Sequence, residues 1–351
     1  MQPNPDFWRG RLVTVTGGTG FLGWHIVKLL YNLGARIRIV ALPLANGHPV
    51  LNLPNIETRF GDIRDAQVLA SALKDCSIIF HVAGPVGVTG IHSSLIFESH
   101  VKGTANLIRY APKNARIVYT SSVTTIGASK QPVSLDENHN FNLQKLRVPY
   151  IHAKRKAEQL ALSFAREGYW VLAVNPGYLL GPEDYAPSVM GRFCRRFWQG
   201  RIWLVPNGGI NVVDVRDVAL GHLLAAEHGR PGQRYILGGH NLSFLQLCQE
   251  LSQPAQICPR YLASCPKLLL SSAALLAHAY SWWRKKEPYP SFGHVHIGYY
   301  YWYFSSQKAR EELGYRIRDL SVTIQDTWDW HYRDEMPKWR SLQRWWLRPA
   351  A

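Results

Sequence analysis

From Arg11 to Asn175, short runs of β-branched and aliphatic residues alternate with stretches whose apolar positions recur at helical spacing. Leu12 to Thr16, Arg36 to Ala41, Glu57 to Phe60, Ser77 to Val82, Arg116 to Thr120 and Trp170 to Asn175 read as strands. Leu22 to Leu33, Ala66 to Leu73, Leu95 to Tyr110 and Ile151 to Glu167 read as the helices between them. Parallel strands need a crossover, and strict strand–helix alternation supplies one each time. The pattern therefore predicts an α/β fold: a doubly wound, mostly parallel sheet covered on both faces.

After Pro176 the rhythm changes to short strands, loops bearing Pro and Gly, and aromatic clusters, with helices expected at Asp217 to Glu227 and Leu242 to Leu251. This predicts a smaller C-terminal α+β substrate region packed over the carboxyl edge of the sheet. The expected division is 9–176 for the sheet domain, 177–335 for the substrate region interleaved with it, and 336–351 for a basic Trp/Arg tail. The apolar stretch from Leu268 to Tyr280 is shorter than the ~20 residues of a spanning helix. It contains His278 and is expected to be buried or interfacial.

Composition narrows the class further. With 351 residues, 46% apolar and 18% charged, the chain can bury a large core and is not disordered, collagen-like or coiled-coil. The net charge of +16 invites a polyanion partner. The excess is spread over both halves, +9 in residues 1–180 and +7 in 181–351, and no recognition module accompanies it. Nucleic acid is not expected as a partner. Local groups remain: Arg192, Arg195, Arg196 and Arg201 lie in an acid-free interval, and Trp282 to Lys286 and the tail from Trp339 to Arg348 pair indoles with cations. That pairing suits a membrane interface, so peripheral contact at the cytoplasmic face is an expectation. Cys76, Cys194, Cys248, Cys258 and Cys265 form no metal-ligating pattern, so no metal site is expected and a reducing compartment is. The polar N-terminus runs directly into a strand, which predicts a cytoplasmic protein without a secretory segment.

The first strand ends in Thr16-Gly17-Gly18-Thr19-Gly20-Phe21-Leu22-Gly23. Glycines 17, 20 and 23 at a strand-to-helix turn allow a tight bend and close backbone approach to a pyrophosphate, which the helix N-terminus then attracts. Dinucleotide binding on a Rossmann-type sheet follows. No acid closes the second strand to read the ribose, while Arg36 and Arg38 are candidates for a 2′-phosphate, which tilts the cofactor from NAD toward NADP. Asp62 and Ile63 after the third strand are placed to bracket the adenine.

Tyr150 and Lys154 stand four residues apart, on one face of a helix that Pro149 helps to start. A phenol with an ordinary pKa near 10 becomes a usable acid/base beside a cation. Thr120-Ser121-Ser122 ends the fifth strand and offers a hydroxyl to a substrate oxygen, with Ser121 as the neighbouring alternative to Ser122.

TGGTGFLG, GDIRD, FHVAG, VKGTANL, YTSSV, the Tyr-x-x-x-Lys pair, VNPGYLLGP, DVRDVA and SSQKAREELGY occur in order from Arg11 to Tyr315. Together they resemble the extended short-chain dehydrogenase/reductase superfamily (NAD-dependent epimerase/dehydratases). Within it the chain is similar to the dihydroflavonol-4-reductase-like and hopanoid-associated sugar epimerase groups, with 3β-hydroxysteroid dehydrogenases as more distant relatives. The resemblance implies that Ser122 orients the substrate carbonyl, that Tyr150 exchanges its proton, and that Lys154 holds the nicotinamide ribose and lowers the phenol's pKa. It also implies cofactor contacts from Val82, Ala83 and Gly84 and from Asn175, Pro176 and Gly177, and a homodimer. Two positions depart from the family pattern: Gly84 where alanine is common, and His100 where an asparagine is usual, the latter read as a structural replacement.

Ser122 is followed by Val123-Thr124-Thr125 rather than the acidic pair of a sugar dehydratase. The apolar stretch at 268–280 and the run Gly298-Tyr299-Tyr300-Tyr301-Trp302-Tyr303-Phe304 suggest an aromatic wall for a bulky hydrophobic substrate (isoprenoid, sterol-like or phenolic). The expected activity is NAD(P)-dependent hydride transfer on a secondary alcohol or ketone. A sugar or nucleotide-sugar epimerase is the alternative on the same fold, and a non-catalytic dinucleotide sensor or assembly subunit is a third reading.

Overall fold

The computed structural model describes residues 1–43, 48–87, 93–259, 262–284, 289–332 and 347–349. The Trp282 to Lys286 side chains and those of the basic tail 336–351 lie outside the described residues.

The alternating pattern builds the expected sheet. Strands β1 (Leu12–Thr16), β2 (Arg36–Ala41), β3 (Ile56–Phe60), β4 (Ile78–His81), β5 (Arg116–Thr120) and β6 (Trp170–Pro176) pair in parallel. Farther on come β7 (Tyr178–Leu180), β8 (Leu204–Pro206), β9 (Gly209–Asp214) and β10 (Arg234–Leu237). The seven-stranded sheet has the order β10-β6-β5-β4-β1-β2-β3. The chain winds outward from β1 to β3 and returns to β4 on the other side of β1, which opens a crevice at the carboxyl ends of β1 and β4.

Among the described residues the α-helices in chain order are α1 (Pro5–Trp8), α2 (Phe21–Asn32), α3 (Ala66–Leu73), α4 (Ser93–Phe97), α5 (Gly103–Tyr110), α6 (Pro149–Ser163), α7 (Val189–Trp198), α8 (Val215–His228), α9 (Phe244–Ser252), α10 (Lys267–Arg284), α11 (Phe292–Gly298), α12 (Gln307–Leu313) and α13 (Leu320–Tyr332). One sheet face is covered by α2 and α8, the other by α3, α5 and α6. Ile26, Val27 and Leu30 of α2 are fully buried against the sheet, each worth about 1.5–3 kcal/mol of apolar transfer. A third apolar cluster holds the substrate region together, joining Trp198 and Phe197 of α7 to Trp302 and Trp328.

Three elements differ from the sequence reading. The helix expected from Leu95 to Tyr110 is α4 and α5 joined by a π-helical turn at Glu98–Lys102. This wider turn carries His100 inward, where Nε2 lies 2.9 Å from the Pro85 carbonyl. The helix expected from Leu242 begins at Phe244, because the preceding residues form strand β11 (His240–Ser243) and Ser243 caps α9 in a reciprocal box with Gln246. The aromatic run divides: Trp302 and Phe304 are buried, its four tyrosines are half-buried, and Tyr301–Trp302 pair in parallel with β9.

The substrate region has its own small sheet, in which β9 pairs antiparallel with β11 and parallel with β7. Its register puts Tyr178 opposite Val212 and Leu180 opposite Asp214. This sheet begins directly after β6, since β7 follows Gly177.

Candidate active site

At the end of β1 the backbone turns into α2 through the glycine loop. Gly17 has φ 73°, in the left-handed region, and a methyl group on Gly23 would lie 2.1 Å from the Gly17 carbonyl oxygen. Only hydrogen at both positions lets the loop close on the helix. Gly20 is the N-cap of α2 and provides no side-chain cap, so the N–H groups of Phe21, Leu22 and Gly23 open toward the loop. Gly18 packs against Ile39, and Thr19 lies at the crest of the turn. The donor set is what a pyrophosphate needs. Thr16 contributes from below: its Oγ1 accepts from the N–H groups of Val82 and Ala83, which fastens the end of β4 to β1.

Arg38, the candidate for a 2′-phosphate, has partners within the protein. Its Nε donates to Glu57 Oε2 at 2.7 Å, and Nη1 donates to the Ala72 and Lys74 carbonyls. Arg36 stands at the opposite, amino end of β2. The Arg38 Nε and Nη1 donors are thus engaged within the fold, and NAD and NADP both remain open as the cofactor. At the end of β3, Asp62 is held by Arg64, whose guanidinium pairs with it at 2.8 Å, and Ile63 packs against Gly103.

Gly84 and His100, read as separate departures, form one device. A methyl group on Gly84 would lie 2.2 Å from His100 Cε1. The imidazole fills the space that an alanine side chain would take, and its ring meets Tyr150 edge-on at 5.6 Å. His100 is thus a packing and hydrogen-bonding piece. Burial, then the nearby Lys154 ammonium, hold its pKa well below the usual imidazole value.

Ser122, Tyr150 and Lys154 converge at the carboxyl ends of β5 and α6's first turns. Pro149 occupies the first helical position of α6. The Ser122 Oγ accepts from Thr124 N and from Thr124 Oγ1 at 3.0 Å, which aims it across the strand end. Burial pushes the Tyr150 phenol up to about 12, and its hydrogen bond with Ser122 works in the opposite direction. Lys154 donates to the Thr120 carbonyl at 2.8 Å. Its burial lowers the ammonium's pKa to about 7, against the attraction of Glu158. Asn175 turns away from the crevice into the core, with Nδ2 at 2.6 Å from Glu158 Oε2 and 2.9 Å from Thr125 Oγ1. Pro176 ends β6, and Gly177 gives close passage to Asn211.

The supporting residues were not singled out from sequence. Glu158 is one turn beyond Lys154 on α6 and is 1% exposed, held by Thr125, Asn175, Arg155 and Arg234. The spacing 150, 154, 158 was the available signal. His81 bridges Thr16 and Thr104 beneath the crevice, at 2.8 and 3.2 Å, and a buried histidine at a strand end gives no such warning.

A cavity of roughly 490 Å³ lies beside the triad. Its wall includes Met190, Phe193, Leu204, Leu270 and Trp302, together with Arg192, Arg196 and Arg201. Three of the four arginines of the acid-free interval are therefore in the cavity wall, Arg195 being the exception, and of the aromatic run Gly298 and Trp302 line it. Ser122 and Tyr150 lie outside that wall. Tyr178 links the two, since it lines the cavity and its phenol is raised by burial and by the neighbouring Tyr150.

A crevice with a glycine phosphate loop and a Ser-Tyr-Lys group on a seven-stranded parallel sheet defines a nicotinamide-dinucleotide enzyme of the oxidoreductase or epimerase type. The chain belongs to the NAD dependent epimerase/dehydratase family, the extended short-chain dehydrogenases/reductases, whose model matches residues 13–238. It is 31% identical over 329 residues to a putative dihydroflavonol 4-reductase of Synechocystis, covering 90% of this chain and 93% of that one. It is 30% identical over 264 residues to sterol demethylase protein B of Methylococcus capsulatus, covering 75% and 80% of the two chains. The solved structure of gox2253 superposes with a TM-score of 0.80 at 31% identity, covering 93% of this chain and 99% of the other.

Two tests follow from the geometry. Gly84→Ala should lower the Tm by several degrees, and adding His100→Asn should recover the part due to the clash with the imidazole while leaving the part due to the Gly84 φ of 152°; strictly additive losses in the double variant would show that the two sites are not coupled. The folded chain releases the Lys154 proton at about 7, whereas the group's ordinary value is 10.5. The unfolded state then binds more protons across that window, so this residue makes stability rise with pH between the two values. Urea unfolding of Lys154→Met should show a flatter pH dependence there than the parent chain.

Proposed function

We propose that this enzyme is an NAD(P)-dependent reductase or dehydrogenase acting on a ketone or secondary alcohol of a bulky, largely apolar substrate. The observation that carries the reading is the cavity. Its size falls within the ~300–1,000 Å³ of small-molecule sites, and its wall is dominated by aliphatic and aromatic side chains. The name of the sterol demethylase relative is in keeping with such a substrate.

When bound along the glycine loop, the cofactor supplies or takes a hydride. The chain's own residues do the rest. Tyr178 borders the passage from the cavity to Tyr150. Ser122 donates a hydrogen bond to the substrate oxygen and aligns it with the phenol. Tyr150, kept protonated at neutral pH by its burial, gives its proton to that oxygen in the reductive direction. Lys154, anchored on the Thr120 carbonyl, would hold the ribose, and Glu158 steadies its charge. Thr124 and Thr125, spent on Ser122 and Glu158, leave no acid pair for dehydration of a sugar.

Arg192, Arg196 and Arg201 add a positive side to the apolar cavity. Among the described residues none of the three forms an ion pair within 4.0 Å, and Arg196 lies over the Tyr289 ring at 3.6 Å. The preferred substrate accordingly carries one acidic group on its apolar body.

Tyr150→Phe should cut hydride transfer by about 10²–10⁴-fold while cofactor binding, followed by fluorescence of the reduced nicotinamide, stays intact. A variant that turns over normally would remove the reading. Arg196→Gln should raise the KM for an acidic apolar ketone about tenfold, the equivalent of ~1.4 kcal/mol. The neutral methyl ester of the same ketone should show no such change.

A further inference from the structure

α10 carries an apolar stripe on the side that faces solvent. Leu268, Leu269, Leu275, Leu276 and Tyr280 recur at helical spacing, and Leu268, Leu275 and Leu276 are 81%, 62% and 72% exposed. A surface helix ordinarily turns such a stripe inward. Here the inward side is made of other residues: Ala274 is fully buried, Leu270 and Ala273 line the cavity, and the His278 ring lies 4.6 Å from that of Phe292. Trp203 and Leu204, also in the cavity wall, are 54% and 45% exposed and extend the apolar surface along the rim. A contiguous exposed patch of this kind marks an interaction surface.

Charge decides between the occupants. No acid occurs from Leu251 to Lys286, while Arg260, Lys267, Arg284, Lys285 and Lys286 flank or terminate the stripe in sequence. A second copy of the chain would bring a segment of the same positive balance in sequence, with Lys267 at the start of the helix on both sides. Anionic lipid headgroups complement that balance, and an apolar stripe bounded by basic residues is what an interfacial helix presents. No helix among the described residues is long and apolar enough to cross a membrane, so the contact is with one leaflet.

We propose that α10 seats the enzyme on an anionic lipid bilayer, with Leu268, Leu269, Leu275, Leu276 and Tyr280 at the boundary between headgroups and acyl chains. Because Leu270 and Ala273 of the same helix line the cavity, an apolar molecule leaving the lipid enters the cavity along the docked helix rather than through bulk water. The docking face is read by lipid binding and not by turnover, so it stands or falls separately from the proposed substrate.

The test is co-sedimentation of the full chain with phosphatidylcholine vesicles, with and without phosphatidylserine. The parent chain should partition to the anionic vesicles, less so in high salt, and weakly to the neutral ones. Leu268→Glu together with Leu275→Glu and Leu276→Glu should lower the partition coefficient at least tenfold, with thermal unfolding unchanged because these side chains lie in solvent. Leu276→Ser alone, a milder change, should lower it severalfold and covers the case in which the triple variant misfolds. Binding of the folded variants equal to the parent, or a parent chain that stays in the supernatant, would overturn the proposal. So would a parent dimer that the triple variant converts to monomer in size-exclusion light scattering, since the face would then belong to a second copy.

Discussion

Burying the ammonium of Lys154 costs free energy that the surrounding structure must offset, and much of the site's construction follows from how it does so. The Thr120 carbonyl takes one of its protons, the Tyr119 ring lies 5.3 Å away, and Glu158 sits one helical turn beyond with its own neighbours around it. Charge in so dry a place reaches far. It helps keep the His81 and His100 imidazoles neutral, His81 being pulled down to about 3 by burial first and Lys154 second. Two neutral rings can then act as uncharged hydrogen-bonding struts beneath the crevice. The same desolvation raises the Tyr150 phenol to about 12 and lowers the Lys154 ammonium to about 7, which drives apart two groups of nearly equal ordinary strength, because burial favours the neutral form of each.

The parts of this arrangement that depend on near neighbours in the chain were legible in the sequence. The glycine loop is one turn, and Tyr150 and Lys154 are one helical step apart, so spacing alone specifies them. Parallel strands announce themselves through the crossover helices they require. Arg38 shows where such reasoning stops: on a strand, alternation says which face a side chain takes, but Glu57 and the end of α3 are what occupy its guanidinium. Gly84 and His100 are sixteen positions apart, and their dependence exists only once a π-helical turn brings the ring under the β4 loop. The aromatic run was legible only in part for a similar reason: Trp302 lines the cavity and Phe304 is buried, since a row of large rings fills a core as readily as it lines a pocket. For α10 the periodicity was plain and its direction was not, because a hydrophobic stripe does not say whether protein or lipid will cover it.

Chemistry and recognition are kept on different supports. The groups proposed to handle the proton rest at the end of β5 and on α6, whose buried contacts leave little freedom. The cavity wall draws on α7, β8 and α10, outside the seven-stranded sheet. His294, in that wall, is pulled down to about 4 by burial and then by Arg196 and Arg192, so at neutral pH the positive side of the cavity is made by arginine alone.

The parallel pairing of β7 with β9 has a consequence for how such an enzyme changes its substrate. Between Leu180 and Gly209 the chain makes an excursion that includes α7, β8 and all three cavity arginines, and both its ends are pinned in one small sheet. An excursion closed at its base behaves as a cassette. Its length and side chains can be exchanged while the strand ends, and with them the positions of Ser122 and Tyr150, stay where they are. Grafting that segment between relatives is therefore the shortest route to a new specificity on an unaltered reaction centre.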